Sequence, residues 1–358
     1  MVTGKTTNNI TPFITSDMKK VHGAILTETG FKKGYVEIQE QNHAILHIKK
    51  ESTSNESYFI IPSFLNAHTH IGDAFVREKN ISLPTDINKL VAPPDGLKHR
   101  LLRTTKPDEI IKGMIQGLKE FKDNGISTFI DFRENGIQGI SLLQKALNQV
   151  PIDSLILGRP QDLEVTIKEI DDILKVSDGV GLSSLSDWDY DLVKLIAEKT
   201  KKKDKIFAIH ASECVREPIK PILDLEPDFI VHMTKGSKQD LIQIKEQQIP
   251  LVVCPRSNSF FGMTPNIQAM HEIGNTLLLG TDNFMLNPPS IIDEIKWVQT
   301  NFPTLFSIEE LFLMNTYNGR KTLLKDRDQS ASNSPSSWLI IDARNYEINT
   351  ILQDVKLA

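Results

Sequence analysis

The sequence predicts an α/β protein: a TIM-type (β/α)8 barrel over residues 61–325, with a small β-sandwich domain assembled from residues 1–60 and 326–358. Three observations predict it. Short, continuously apolar runs alternate with stretches of helical period from Phe64 to Asp282, the pattern of a parallel sheet buried on both faces. Eight such runs occur, enough to close a barrel, with an open doubly wound sheet as the alternative. Runs of alternating polarity lie outside this region at both chain ends, where a parallel barrel has no place left for them. A chain of 358 residues has room for a barrel of about 250 residues and an accessory domain.

The bulk composition is that of a soluble globular protein: 39% hydrophobic, 24% charged, 7% aromatic and a formal net charge of −5. There is no basic surplus for nucleic acid and no run of about eighteen apolar residues for a membrane span. Two cysteines, Cys214 and Cys254, are too few for a disulfide framework or a cysteine-rich zinc site, so a metal would rest on histidines and carboxylates. Residues 1–13 are polar and lack the apolar centre of a signal peptide. These features lead us to expect a cytoplasmic protein with a small-molecule substrate, no nucleic-acid or membrane partner, and homo-oligomerisation left open.

Taken in order, residues 13–61 contain alternating runs such as Tyr35–Gln39 and Ala44–Ile48, which read as half-buried strands. Residues 51–57 are polar and mark a domain boundary. The run Ile61–Asp73 follows, apolar until His68 and His70. Side chains two apart on a strand share a face, so these two imidazoles project together. Residues 74–107 carry Pro84, Pro93, Pro94 and Gly96, cannot form one regular element, and read as a loop able to cover a site. His99 within it reads as a solvated residue. His22, His43 and His47 have no neighbouring partner and are set aside.

The alternation then runs as helix 106–124, strand 126–132, strand 154–158, helix 161–175, strand 179–184, helix 188–201 and strand 205–210. It continues through strand 228–233, helix 237–247, strand 250–254, helix 265–273 and strand 276–282. Helices near 290–300 and 308–323, an exposed loop at 326–337 and strands at 337–343 and 346–352 complete the chain.

In a parallel barrel the functional face lies at the C-terminal ends of the strands. There the sequence places His68 and His70 after strand one, His210 after strand five, His232 after strand six and Asp282 after strand eight. Singly, each is explained as a packed strand-end histidine or a helix-capping aspartate. Together at one end of one barrel they form a ligand set, of the imidazole-plus-carboxylate kind that zinc or iron(II) favours. Glu213, three residues past His210, leaves the strand within reach of a metal-bound water and is the candidate proton shuttle. Arg133, Glu134, Arg159, Arg256, Asn258 and Asn283 fall at the same rim as candidate substrate contacts or as helix caps and loop ion pairs.

These pieces resemble the amidohydrolase superfamily, and within it the mononuclear deaminase and chlorohydrolase branch that includes cytosine, guanine and S-adenosylhomocysteine deaminases. The matching stretches are Pro62–His70, His210-Ala211-Ser212-Glu213, His232, Cys254-Pro255-Arg256-Ser257-Asn258 and Gly280-Thr281-Asp282. The resemblance implies that His68, His70, His210 and Asp282 bind one divalent metal, that Glu213 moves protons, and that His232 polarises water or substrate. Two-metal members use a carboxylated lysine at the end of strand four. Here that strand ends Leu182-Ser183-Ser184-Leu185, which points to a single metal. The other zinc deaminase class, with its Pro-Cys-x-x-Cys pattern, is excluded because Cys254 precedes Pro255 and no second cysteine follows.

The expected activity is hydrolysis of a carbon–nitrogen bond other than a peptide bond: deamination of a small amino-substituted heterocycle by metal-generated hydroxide. Hydrolysis of a cyclic amide or of a chlorinated ring at the same site is the alternative. An inactive barrel used as a binding module is the third reading, disfavoured because every expected ligand is present.

Overall fold

The computed structural model of the chain describes residues 20–38, 43–48, 57–324 and 337–357. The chain divides into two compact units, Phe64–Ser330 and a smaller one that joins Met1–Ser63 to Ala331–Ala358. The smaller begins with β1 (Lys20–Thr27), β2 (Gly30–Ile38), β3 (His43–Ile48) and β4 (Tyr58–Pro62). β1 and β2 turn back on each other in register from Lys20↔Glu37 to Thr27↔Gly30. Gly30, at φ 103°, adopts at the turn a backbone conformation that side chains disfavour.

The larger unit holds β5 (Phe64–His70), β6 (Ile126–Arg133), β7 (Asp153–Gly158), β8 (Gly179–Leu182) and β9 (Ile206–Ala211). It continues with β10 (Phe229–His232), β11 (Leu251–Val253), β12 (Leu277–Leu279) and β13 (Asp282–Asn283). All pair in parallel, in the order β12-β11-β10-β9-β8-β7-β6-β5-β13. Only Gly280 and Thr281 separate β12, at one edge of this order, from β13, at the other. Thr281 N donates to His68 O at 3.1 Å, so one continuous stretch carries both edges. A Cβ at Gly280 would lie 2.8 Å from the Cβ of His68, and only glycine permits this approach. Leu65, Ala67, Ile130, Phe132, Leu157, Ala208, Val231, Val252 and Leu278 point inward and form the core of the sheet.

Helices cover the sheet for the reasons their sequences suggest. In Pro107–Asp123, proline opens the helix where no hydrogen bond is lost, and Ile110, Met114, Leu118 and Phe121 form one buried stripe. Ser237 with Asp240 and Ser307 with Glu310 build capping boxes at the starts of helices 238–246 and 308–314.

Three expectations change in this unit. The stretch 74–107 is largely helical: a 3-10 run at Ile71–Lys79 and short helices at Ile87–Leu90 and Leu97–Thr104. His99 is accordingly 7% exposed, with its Nε2 3.0 Å from Val91 O, and is not a solvated loop residue. The helix expected over 308–323 breaks after Met314. Asn315 turns inward there and donates to Leu65 O at 2.9 Å and Leu279 O at 2.6 Å, plugging the sheet.

After the larger unit the chain returns to the smaller one with β14 (Ser337–Asp342) and β15 (Ile348–Leu357). β14 pairs with β4 and β15 with β3, and because β1 also pairs with β4 the six strands close into a ring. The expected sandwich is therefore a closed six-stranded barrel filled by Val21, Ile25, Val36, Leu46, Ile60, Trp338 and Leu352, in which each of these six strands pairs with two others. The polar boundary at 51–57 lies almost wholly outside the described residues, and so does nearly all of the loop expected at 326–337. No helix among the described residues is long and apolar enough to cross a membrane.

Candidate active site

The candidate site sits at the C-terminal ends of the parallel strands. On β5 the core-forming Leu65 and Ala67 are odd-numbered, whereas His68 and His70 are even-numbered. The pairing with β6 shifts register between Asn66 and Thr69, and an irregularity of this kind re-aims the side chains that follow it. Thr69 turns away from the site and bonds Ile130 O and the Asp131 carboxylate.

His210 Nδ1 lies 2.7 Å from Leu182 O, and His70 Nδ1 lies 3.1 Å from Phe132 O and 2.7 Å from Glu134 Oε1. These oxygens only accept, so each Nδ1 carries the proton and each Nε2 presents a lone pair. The lone pairs converge: His68 Nε2 is 3.2 Å from His210 Nε2 and 3.3 Å from Asp282 Oδ1, which is in turn 3.4 Å from His70 Nε2. Burial and neighbouring charge, chiefly Lys98, lower the pKa of His70 to about 3, and burial with the adjacent imidazoles lowers that of His210. Burial opposes ionisation of Asp282, but His68, His70 and His232 outweigh it and hold its carboxyl well below the usual range. Neutral imidazoles at His70 and His210 beside an ionised Asp282 match the protonation state metal binding requires.

The geometry fits a metal. Donors at about 2.0–2.1 Å from a tetrahedral centre lie about 3.3 Å from one another. Asp282 Oδ1, 3.3 Å from His68 Nε2 and 3.4 Å from His70 Nε2, is buried without a hydrogen-bond partner. Among the described residues, the groups able to hold an ion are His68 with His70 and His210, and His68 with His232 and Asp282; neither includes a cysteine.

Glu213 and His232 stand beside this cluster. Reciprocal bonds between Ser212 and Glu217 lock the turn after β9: Ser212 N donates to Glu217 Oε2 at 2.7 Å and Glu217 N to Ser212 Oγ at 2.9 Å. From that turn the Glu213 carboxylate reaches to 3.4 Å from His232 Nε2 and accepts from Asn258 Nδ2 at 3.0 Å. Burial first, then the negative charge of Asp282, raises the pKa of Glu213 well above its ordinary value. Burial lowers that of His232 to about 4. Ser212, His232, Met233 and Asp282 all hold positive φ, at 48°, 76°, 51° and 59°. A cavity of about 490 Å³ opens over these groups, lined by His70, His210, Glu213, His232 and Asp282, with Lys98, Arg159 and Asn283 on its wall.

The rim residues separate. Arg159 lines the cavity, its guanidinium 3.1 Å from Glu134 Oε1. Arg133 does not: it is 1% exposed and tied to Asp131 at 3.3 Å and Glu134 at 2.5 Å. Arg256 turns outward to Glu294 at 2.7 Å and Asp293 at 3.4 Å, anchoring the short helix Pro255–Phe260. That anchor lets the next two residues support the site, since Ser257 Oγ donates to Asp282 Oδ2 at 2.5 Å and Asn258 donates to Glu213. Three more participants were given no role by the sequence, although Ser257 lies in a matching stretch and Asp73 ends the run Ile61–Asp73. Lys98 Nζ is buried 2.6 Å from Glu134 Oε1 and 3.6 Å from Asp73 Oδ2, and Ser257 reaches Asp282 across 25 residues of sequence. Asp73 accepts from Met285 N at 2.9 Å, and burial raises its pKa to about 7.

A parallel α/β sheet that gathers three imidazoles and a carboxylate at its strand ends, with a second carboxylate over them in a cavity, is the construction of a metal-dependent hydrolase. The chain belongs to the amidohydrolase family, whose sequence profile matches residues 59–327. It is 38% identical over 330 residues to an uncharacterized protein of Methanocaldococcus jannaschii, covering 86% of this chain and 82% of that one. It is 26% identical over 350 residues to a 5-methylthioadenosine/S-adenosylhomocysteine deaminase of Pyrococcus horikoshii, covering 84% and 80%. Its fold, of TIM-barrel type, matches that of an adenosine deaminase from Xanthomonas campestris solved with bound zinc, with a TM-score of 0.67 at 14% identity over 90% of this chain and 84% of that one.

Proposed function

We propose that this amidohydrolase deaminates a small amino-substituted heterocycle, with one divalent metal, zinc in the first instance and iron(II) as the alternative, held by His68, His70, His210 and Asp282. The larger unit is read as the complete (β/α)8 barrel that carries the reaction. The observation that carries the reading is the placement of Glu213. Its carboxyl is aimed by Asn258 at 3.0 Å, lies 3.4 Å from His232, and shares one cavity with the ligand cluster.

The metal, when bound, supplies Lewis acidity that makes water nucleophilic near neutral pH. Glu213 takes the proton of the attacking water and passes it to the leaving amine. Its raised pKa suits both directions of transfer, because an acid–base catalyst works best with a pKa near the working pH. His232 faces the same space and hydrogen-bonds the oxygen as charge develops on it. Glu134 holds the His70 ring through Nδ1, and Ser257 holds Asp282; such supporting bonds keep donor groups oriented toward a metal. The activity named for the Pyrococcus horikoshii relative supports an aminopurine nucleoside as the first compound to try.

The test is an ammonia-release screen on zinc-loaded and iron-loaded protein. Aminopurines, aminopyrimidines, aminopterins and their nucleosides form the panel, with 5′-methylthioadenosine and S-adenosylhomocysteine included. Ammonia released in step with the hydroxylated product, with about one metal per chain, is expected. Ring opening or chloride release without ammonia would replace this reading by the amide or chlorohydrolase alternative.

A further inference from the structure

Lys98 comes from the stretch between the first two strands of the larger unit, from the first turn of helix 97–104, yet it is only 2% exposed. Its ammonium donates to Asn283 Oδ1 at 2.7 Å, lies 2.6 Å from Glu134 Oε1 and 3.6 Å from Asp73 Oδ2. An ammonium has three N–H donors and no acceptor. Its hydrogen bond goes to Asn283, and the two carboxylates, Glu134 above all, hold the ammonium at that position as ion-pair partners.

What this arrangement fixes is the Asn283 amide. A side-chain amide can turn either its oxygen or its NH2 toward a neighbour, but an ammonium tolerates only the oxygen. The NH2 of Asn283 is thereby turned away from Lys98. It has no hydrogen-bond partner among the described residues, although Asn283 is only 4% exposed and lines the cavity. The backbone of Asn283 is equally fixed, paired opposite His70 in the sheet and directly following Asp282.

We propose that Lys98 is a positioning residue that fixes the amide of Asn283, and that Asn283 presents its NH2 to a hydrogen-bond acceptor on the substrate. The proposal rests on the deaminase reading and narrows it. The amino-substituted heterocycle carries a ring nitrogen or carbonyl oxygen at the edge that meets Asn283, and a ring presenting an N–H there is rejected. A buried donor left facing another donor loses its hydrogen bond to water without gaining one, which is how such a group discriminates.

Asn283→Asp tests this directly, because aspartate keeps the size of the side chain and an oxygen for Lys98 while replacing the NH2 by a second oxygen. On the best compound of the ammonia screen, the variant is expected to raise KM by about 10–100-fold, with a smaller change in kcat and with metal content and Tm as in the wild type. Lys98→Met should raise KM as well. Lys98→Gln, which keeps an N–H for Asn283, should raise it less, although both variants remove the same charge. A KM for Asn283→Asp within about twofold of the wild type, or loss of metal from it, overturns the proposal. Equal KM values for the two Lys98 variants remove Lys98 from it. A wild-type protein that releases ammonia from nothing in the panel defeats the deaminase reading itself, and this inference with it.

Discussion

Glu213→Gln separates proton transfer from every other role that residue could have. Glutamine keeps the length of the side chain, and its carbonyl can accept the same bond from Asn258 Nδ2 that now spans 3.0 Å, so the pose survives. The donor cluster of His68, His70, His210 and Asp282 does not include position 213, so the metal should stay. Stability should hold or rise, because burial first and then the negative charge of Asp282 disfavour an ionised Glu213, and the amide removes that conflict. What disappears is the ability to take a proton. General acid–base groups contribute roughly 10²–10⁴-fold, about 2.7–5.4 kcal/mol at 1.36 kcal/mol per decade, and kcat should fall by that factor. Steady-state ammonia release, elemental analysis of metal and a melting curve, all on one sample, make the measurement. His68→Ala is the comparator, expected to lose metal and turnover together. Turnover of metal-replete Glu213→Gln within tenfold of the wild type would refute the shuttle, and loss of metal from it would make Glu213 a ligand.

Two further outcomes follow from the supporting residues. Ser257→Ala removes the bond to Asp282 Oδ2 and should weaken metal binding by about 10–100-fold in a chelator competition while the fold is kept; unchanged affinity would show that Asp282 orients itself. Asp73 has its pKa raised from 3.8 to about 7, burial being the chief cause, so the folded state holds a proton that the unfolded chain releases. A raised acid contributes its stability at low pH and loses it as pH climbs from about 4 through about 7. An asparagine side chain imitates the protonated form at every pH, so the stability of Asp73→Asn relative to wild type should rise across that window by up to about 4 kcal/mol and stay level above it. A difference that does not change with pH would count against the burial argument.

The sequence brought the candidate ligands together because each ends a continuous apolar run, and in a parallel sheet those run ends all fall on one face. Glu213 was legible by the same logic, from its offset to His210. The supporting layer was not. Lys98 meets Asn283 across 185 residues and Glu134 across 36, and a lysine in a proline-rich, polar stretch has the local signature of a solvated surface. Arg256 and Arg133 looked like substrate contacts because rim position alone cannot tell an arginine aimed inward from one paired sideways, and both are paired sideways. The sandwich expectation failed for a related reason. Alternating strands specify a half-buried sheet but not whether its edges meet, and here β1 reaches both β2 and β4.

The left-handed backbone at Ser212, His232, Met233 and Asp282 has a consequence for how this chain can drift. Each of these residues is held where an L side chain costs on the order of 1–2 kcal/mol that glycine would not incur. Together that rivals a large share of the roughly 5–15 kcal/mol by which a whole domain is stable. A lineage released from the reaction would recover that energy only where volume is kept: His232 and Met233 are 1% and 0% exposed, so glycine there would exchange strain for a cavity, whereas asparagine fills the space of Asp282 and tolerates its backbone. The chain instead keeps a serine, a histidine, a methionine and an aspartate there. Asp282→Asn is therefore the substitution through which thermostability selection without an activity check would first disarm the proposed metal site.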